Sequence, residues 1–385
     1  MDRAGAPGAP LQVAVLGISL SATCGVRDHA GLLAEALASE HVSCSLNWLL
    51  RKERSLRGSR EEIRAWTDRV VGELAERRPD AILLHYSVFT FSHKGVPIFV
   101  RPVLSALRAS GIPVVSVLHE FAYPWGYGGW RGVVWALTQR AVMIEVMRAS
   151  RAAIVTAESR ASWLTSRAWL PRRRVVFAPV YSNLPPSAAS PPGDREIPVI
   201  GLFGYAYQGA AVAMILDAIG ELREQGLAVS LSLLGAPGAS SAGGESWVAQ
   251  ARSRGLRDVV SFSGALPAQE LSDALASCDV LLFADIAGPS PRKGTLAGSL
   301  ASGRPVGAID GPSTWPEFGR AQAISLAQPT SAALAGKIAA LLGDDDYREA
   351  LGARTRAFSE REMGVARTAS AARELLVDAV GARRP

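Results

Sequence analysis

Short apolar runs of strand length recur along this chain, each followed by a segment whose apolar residues keep helical spacing. That alternation restricts the fold more than any other feature. Leu11–Leu16, Ala81–Leu84, Val114–Leu118 and Ala152–Thr156 are near-continuous apolar runs, the pattern of strands buried on both faces of a parallel sheet. Cys44–Trp48 reads as a further strand. Between them fall an amphipathic segment through Leu32, Leu33, Ala36 and Leu37, another from Glu61 to Arg77, and helical spacing over about Ile98–Ser110, Trp135–Arg148 and Ser159–Trp169. Strand and helix in turn predict an α/β architecture with parallel sheets.

From Val180 to Pro198 the composition shifts to Ser, Asn, Pro, Ala and Gly, with Leu184-Pro-Pro and Ser190-Pro-Pro-Gly inside it, a domain boundary on composition. A second series follows: strands at Val199–Phe203, Val229–Leu234, Val259–Gly264, Asp279–Phe283 and Pro305–Ile309, helices at Trp247–Ser253 and Pro267–Ser277, then helices from Thr330 to the end. The expected division is an N-terminal domain over 1–182, a linker over 183–198, a second domain over 199–360, and a C-terminal helix over 361–385 that packs back on the first domain. Two doubly wound, Rossmann-like halves joined by one linker imply a cleft between them, with ligands beyond the C-terminal ends of the strands.

At 385 residues the chain is long enough for two cores, and 48% apolar with 20% charged residues describes a folded protein,. The cysteines Cys24, Cys44 and Cys278 are scattered and odd in number, which points away from a disulfide framework or zinc ribbon and fits a reducing, cytoplasmic location. The abundance of Ala, Gly and Arg resembles the codon bias of a GC-rich bacterial genome. Residues 1–10 read as a flexible leader, too short with the following run for a signal peptide or membrane span. The net charge of +6 comes mostly from arginine. Its clusters at Arg51–Arg60 and Arg172–Arg174 lack interleaved aromatics, so they read as solvated faces and not as a nucleic-acid surface, with peripheral membrane contact the lesser alternative.

The most chemically pointed stretch is 279–306. A strand, Asp279–Phe283, stops at Gly288-Pro289. Arg292 and Lys293 follow, and Gly294-Thr295 opens a helix that ends at Gly303. The N–H groups and dipole of a helix start, with two cations beside them, form an anion site of the kind that holds phosphate; an ordinary βα turn with two solvated cations is the competing reading. The first strand runs into Gly17–Gly25, a small-residue loop without the GxGxxG spacing of a dinucleotide fingerprint. His85 and His119 close two strands, and residues 121–131 form an aromatic, glycine-rich loop with Tyr123, Trp125, Tyr127 and Trp130.

In their order these residues resemble the GT-B glycosyltransferases, most closely family GT4, over nearly the whole chain. Cys24-Gly-Val-Arg-Asp28 is similar to the family's early glycine loop; Leu84-His-Tyr86 and Leu118-His-Glu120 stand where the family lines its cleft; Phe203-Gly-Tyr with Gln208-Gly209 is similar to its loop before the donor-phosphate helix. Phe262-Ser-Gly264, Leu266-Pro267, Cys278-Asp279-Val280 and Ala301–Val306 keep the family's spacing. Two departures stand out. The family's paired glutamates fall here on Ser290 and Gly298, and the Arg and Lys usual before the second domain's first helix are missing, with Tyr205 and Gln208 nearby. The chain thus resembles a divergent branch whose donor loop reads Arg-Lys-Gly-Thr-Leu.

The resemblance implies transfer of a sugar from a UDP-, GDP- or dTDP-sugar to an acceptor hydroxyl, with retention, no metal and no cofactor. The acceptor would be a small molecule, a lipid-linked group or a saccharide, and nucleic acid is not a partner. It puts the donor against Gly25, Gly204, Tyr205, Gln208, Gly235, Gly264, Leu266, Arg292, Lys293, Gly294, Thr295 and Leu296. His119, Arg292 and Lys293 would act on the reacting groups, Asp28, His85, Glu120, Tyr123 and Trp125 on the acceptor. Asp28 also suits a helix N-cap and His85 a structural role. Asp285 and Glu317 are carboxylates able to reach sugar hydroxyls. No His/Asp/Glu cluster with metal-ligand spacing is visible in the sequence. Rival readings on the same fold are a pseudo-glycosyltransferase, a nucleotide-sugar epimerase, and an inactive binding subunit.

Overall fold

The computed structural model describes residues 9–190, 192–193, 195–204, 210–235 and 238–382. The chain divides into two compact units, residues 1–179 with 365–385, and residues 180–364.

The first unit begins with β1 (Leu11–Ser19), α1 (Gly25–Ala38), β2 (Val42–Leu50), α2 (Leu56–Arg77) and β3 (Ala81–Ser87). It continues with α3 (Val100–Ala109), β4 (Val114–Glu120), α4 (Gly129–Ala149), β5 (Ala152–Val155), α5 (Glu158–Thr165) and β6 (Arg174–Phe177). Its sheet is six-stranded in the order β2-β1-β3-β4-β5-β6, and every pairing is parallel. β1, β3 and β4 are buried along nearly their whole length, as their unbroken apolar runs require, and Trp66, Val70 and Leu74 of α2 pack into that core.

The second unit runs β7 (Val199–Phe203), α6 (Ala210–Glu224), β8 (Ser230–Leu234), α7 (Ala242–Ser253), β9 (Val260–Gly264), α8 (Ala268–Ala276) and β10 (Val280–Phe283). Then come α9 (Gly294–Ala301), β11 (Val306–Ile309), α10 (Pro316–Arg320), β12 (Ser325–Ala327), α11 (Ser331–Gly343) and α12 (Asp345–Glu362). The sheet order is β12-β11-β10-β7-β8-β9, again parallel throughout. Finally α13 (Val365–Gly381) rejoins the first unit. It lies on α1 and pairs Glu374 and Asp378 with Arg174 at the start of β6.

Several sequence expectations shift. β1 continues through Ser19, so Gly17 lies inside the strand instead of in a loop. α1 starts at Gly25, with Cys24 at its N-cap. Asp28 is therefore not the cap: its N–H already donates to the Cys24 carbonyl, and its carboxylate sits in the first turn, where the helix dipole favours a negative charge. α2 begins five residues before Glu61 because Ser55 caps it, accepting from the Gly58 N–H. α4 reaches back to Gly129, so Trp130 is helical. Residues 1–8 of the expected leader lie outside the described residues. Among those described, no helix is long and apolar enough to cross a membrane.

Candidate functional site

In each sheet the strand order reverses at one place, and ligands of open α/β sheets gather there, at the C-terminal ends of the strands. In the second unit that place lies between β7 and β10. β7 ends at Gly204, whose φ is +67° and whose N–H donates to the Leu234 carbonyl at 3.0 Å. β8 ends at Gly235 (φ +70°), its N–H donating to Ser263 Oγ at 3.0 Å, and β9 at Gly264 (φ +70°). Three adjacent strands thus close on left-handed residues that glycine adopts without strain. At Gly204 space adds a second requirement, because a Cβ there would stand 2.7 Å from Thr295 Cγ2.

Thr295 belongs to the first turn of α9, so the ends of β7 and α9 touch. The N–H groups of Gly294, Thr295 and Leu296 precede the first intrahelical acceptor, which is the Lys293 carbonyl met by Ala297 N–H at 3.0 Å,. Lys293 is the N-cap and has no side-chain hydrogen bond to the helix. Its Nζ instead meets Asp285 Oδ2 at 2.9 Å. Burial works to raise the Asp285 carboxyl, but the Lys293 bond, the Ala287 N–H and the charges of Lys293 and Arg292 prevail and hold it below its ordinary value. Of the two cations expected to face an anion, Lys293 is thus already ion-paired. Lys293 is balanced within its own loop, and Asp285 is committed to it instead of reaching outward. Arg292, half-buried, is the second cation of the same loop.

The remaining donor-side residues divide by exposure. Leu296 is fully buried, so it offers a backbone N–H and not a side chain. Leu266 is half-buried in the turn before α8, and Tyr205 and Gln208 lie outside the described residues. At the positions of the family's glutamates, Ser290 is buried and accepts the Lys293 N–H. Gly298 faces the Phe203 ring, which a Cβ would approach to 2.8 Å. Phe203 thus fills the space a longer side chain there would need.

In the first unit the order reverses between β1 and β3. His85 lies near the end of β3, which is buried throughout, and His119 is an inserted residue in β4: Tyr86 pairs with Leu118 and Ser87 with Glu120, which leaves His119 in a bulge that re-aims its side chain. His85 Nδ1 and His119 Nε2 lie 3.0 Å apart. His29, from α1, meets both rings edge-on, with centroids 5.8 Å and 5.1 Å away. One ring nitrogen from each histidine lies within 4.8 Å of the others. The sequence expectation of no metal-spaced cluster is overturned: its third member, His29, joins from a helix. Only its place on the stripe His29, Leu33, Leu37 signalled an inward direction,.

All three rings are neutral at pH 7. Burial, reinforced by the Arg160 charge, pushes His119 down to about 4. Burial likewise lowers His29 and His85, each further depressed by His119. Arg160 Nη1 donates to the His119 carbonyl, and its Nη2 pairs with Glu120 at 2.8 Å. Glu120, expected to reach an acceptor, is committed to that pair. Asp28 is exposed, yet partial burial outweighs the Arg27 charge and raises its carboxyl. Gly25 is exposed at the start of α1. In the aromatic loop, Tyr123 N–H donates to Gln139 Oε1 at 2.7 Å. Trp125 is half exposed, with the Arg140 guanidinium 4.5 Å from its ring centre.

Residues 197–344 match the family model described as glycosyl transferases group 1. Over 96% of its length the chain superposes on sucrose-phosphate synthase from Thermosynechococcus elongatus, with a TM-score of 0.72, 15% identity and 100% of that chain covered. The chain has the GT-B glycosyltransferase fold. Its likeness to Anabaena HepE, solved in complex with UDP and glucose, has a TM-score of 0.64 at 16% identity and covers 96% of this chain and 100% of that one. UDP-GlcNAc 2-epimerase from Neisseria meningitidis, bound to UDP-GlcNAc, shares the fold at a TM-score of 0.59 and 12% identity, over 96% of this GT-B chain and 100% of the epimerase. No curated protein matches the sequence.

Proposed function

We propose that this GT-B chain is a glycosyltransferase that moves a sugar from a nucleotide-sugar donor to an acceptor hydroxyl, with retention at the anomeric carbon and no metal in the chemical step. The observation that carries this reading is the α9 start. Three backbone N–H groups open α9 at the β7/β10 switch point, with Arg292 in the loop just before it and beside glycine turns that admit a ligand close to the backbone,. As the glycosidic bond breaks, the nucleoside diphosphate gains negative charge. Donors fixed where that charge develops lower the barrier without reorganising. Lys293, oriented by Asp285, adds a directed N–H bond, and Arg292 adds a guanidinium able to bond phosphate,. The leaving phosphate oxygen takes the acceptor proton, so the chain supplies no separate base.

In the first unit, His119 is not carried forward as a sugar contact, because its ring is buried with Nε2 3.0 Å from His85 Nδ1 and the His29 ring edge-on to it. The aromatic loop from Tyr123 to Trp130 suits stacking on an acceptor. Donor turnover with UDP-, GDP- and dTDP-sugars tests the reading: release of nucleoside diphosphate with glycosylated acceptor supports it. The likeness to an epimerase favours one alternative, and product analysis separates the two. Free nucleotide-sugar with an inverted hydroxyl and no transfer would assign the chain to that class instead.

A further inference from the structure

The three histidines of the first unit carry an inference apart from sugar transfer. We propose that His29, His85 and His119 form a binding site for one divalent transition-metal cation of the zinc class, which clamps α1 to the ends of β3 and β4.

The spacing fits such an ion. Three imidazoles on one tetrahedral zinc, with bonds of about 2.05 Å and about 1.15 Å from nitrogen to ring centre, place their centroids about 5.2 Å apart. The observed separations are 5.1, 5.3 and 5.8 Å. Two nitrogens on such an ion stand about 3.3 Å apart, and His85 Nδ1 and His119 Nε2 are already at 3.0 Å. The third nitrogen, within 4.8 Å of the others, closes by a small rotation of the His29 side chain.

The chemistry fits as well. The rings are held neutral by burial, so no proton has to leave before a lone pair binds metal,. An all-imidazole donor set with no carboxylate in it suits zinc, cobalt, nickel or copper, and not magnesium or calcium, which take oxygen ligands. His85 Nε2 is buried without a hydrogen-bond partner among the described residues. It is the ring nitrogen that does not face His119, and the metal would bind on the Nδ1 side. The nearby Arg160 cation, whose charge is felt at His119, is ion-paired with Glu120 at 2.8 Å, which tempers its opposition to a metal. Gly17 makes room for Trp48, whose ring lies 6.0 Å from His85 and covers the site from β2.

The test is titration of the full chain with Co²⁺ and Zn²⁺, followed by visible absorbance and by thermal unfolding. The expected result is one equivalent of Co²⁺ bound with the intense absorbance of a tetrahedral site, and a Zn²⁺-dependent rise of several degrees in Tm. His29→Asn and His85→Asn should each weaken binding by at least ~100-fold, while His41→Ala with His93→Ala leaves it unchanged. Failure to bind either ion at micromolar concentration, binding indifferent to His29→Asn and His85→Asn, or binding lost in the His41/His93 variant would each overturn the site. If the cluster variants unfold, the wild-type cobalt spectrum decides alone, because weak octahedral bands contradict three buried nitrogen ligands.

Discussion

At the reversal of the first sheet, between β1 and β3, the interior holds three neutral imidazoles. At the reversal of the second, between β7 and β10, it holds glycine turns, a helix start and an arginine. The same place in the same plan carries opposite chemistry: lone pairs that attract a cation in one unit, N–H groups that attract an anion in the other. All five histidines of the chain lie in the first unit. The topology fixes where a site forms, while the residues at the strand ends decide what it accepts.

The sharpest way to break this contrast is Arg292→Ala. Loss of the Arg292 guanidinium beside the α9 start is expected to lower kcat about 10²–10³-fold, whereas His85→Asn should leave nucleotide affinity intact. Steady-state kinetics with matched donor titrations reads both.

A smaller effect comes from pH. The unfolded chain binds protons on its histidines below their ordinary value of 6.5, and the folded cluster resists them down to about 4 at His119. The stabilisation is complete above 6.5 and falls as the pH drops toward 4, by up to about 1.4 kcal/mol per pH unit for each imidazole. Peptide-resolved hydrogen exchange should show the first unit opening between pH 7 and pH 5, with the second unit, which has no histidine, nearly unchanged. Equal loss in both units would dissolve the distinction.

Gly204→Ala sharpens the second site. A left-handed backbone and contact with Thr295 should cost about 1–3 kcal/mol, read as a lower denaturant midpoint with a raised KM for donor. Gly298→Ala, pressed against Phe203, should cost a comparable or smaller amount, about 1–2 kcal/mol. Stability unaffected by that change would mean Phe203 yields easily.

The α9 loop was legible because it is local: strand, stop, cations and helix start follow one another within thirty residues of sequence. The buried strands were legible for the same reason. β6 was hidden because Arg172-Arg173-Arg174 leads into it, and a short edge strand announces itself only through its neighbour β5 and the acidic face of α13. β12 was hidden by its three residues. The histidine cluster was hidden for a different reason. Its members come from α1, β3 and a bulge in β4, so only the sheet order brings them together. The pairing of Lys293 with Asp285 across a loop was likewise invisible to a pattern that saw only two adjacent cations.

The central claim is that the second unit's switch point binds a nucleoside diphosphate through the α9 start and Arg292. Calorimetric titration of the full chain with UDP, GDP and dTDP tests it most directly. The expected result is one nucleotide bound at one site per chain, with affinity lost in Arg292→Ala and kept in His85→Asn. Binding of none of the three, or binding indifferent to Arg292→Ala, would contradict it.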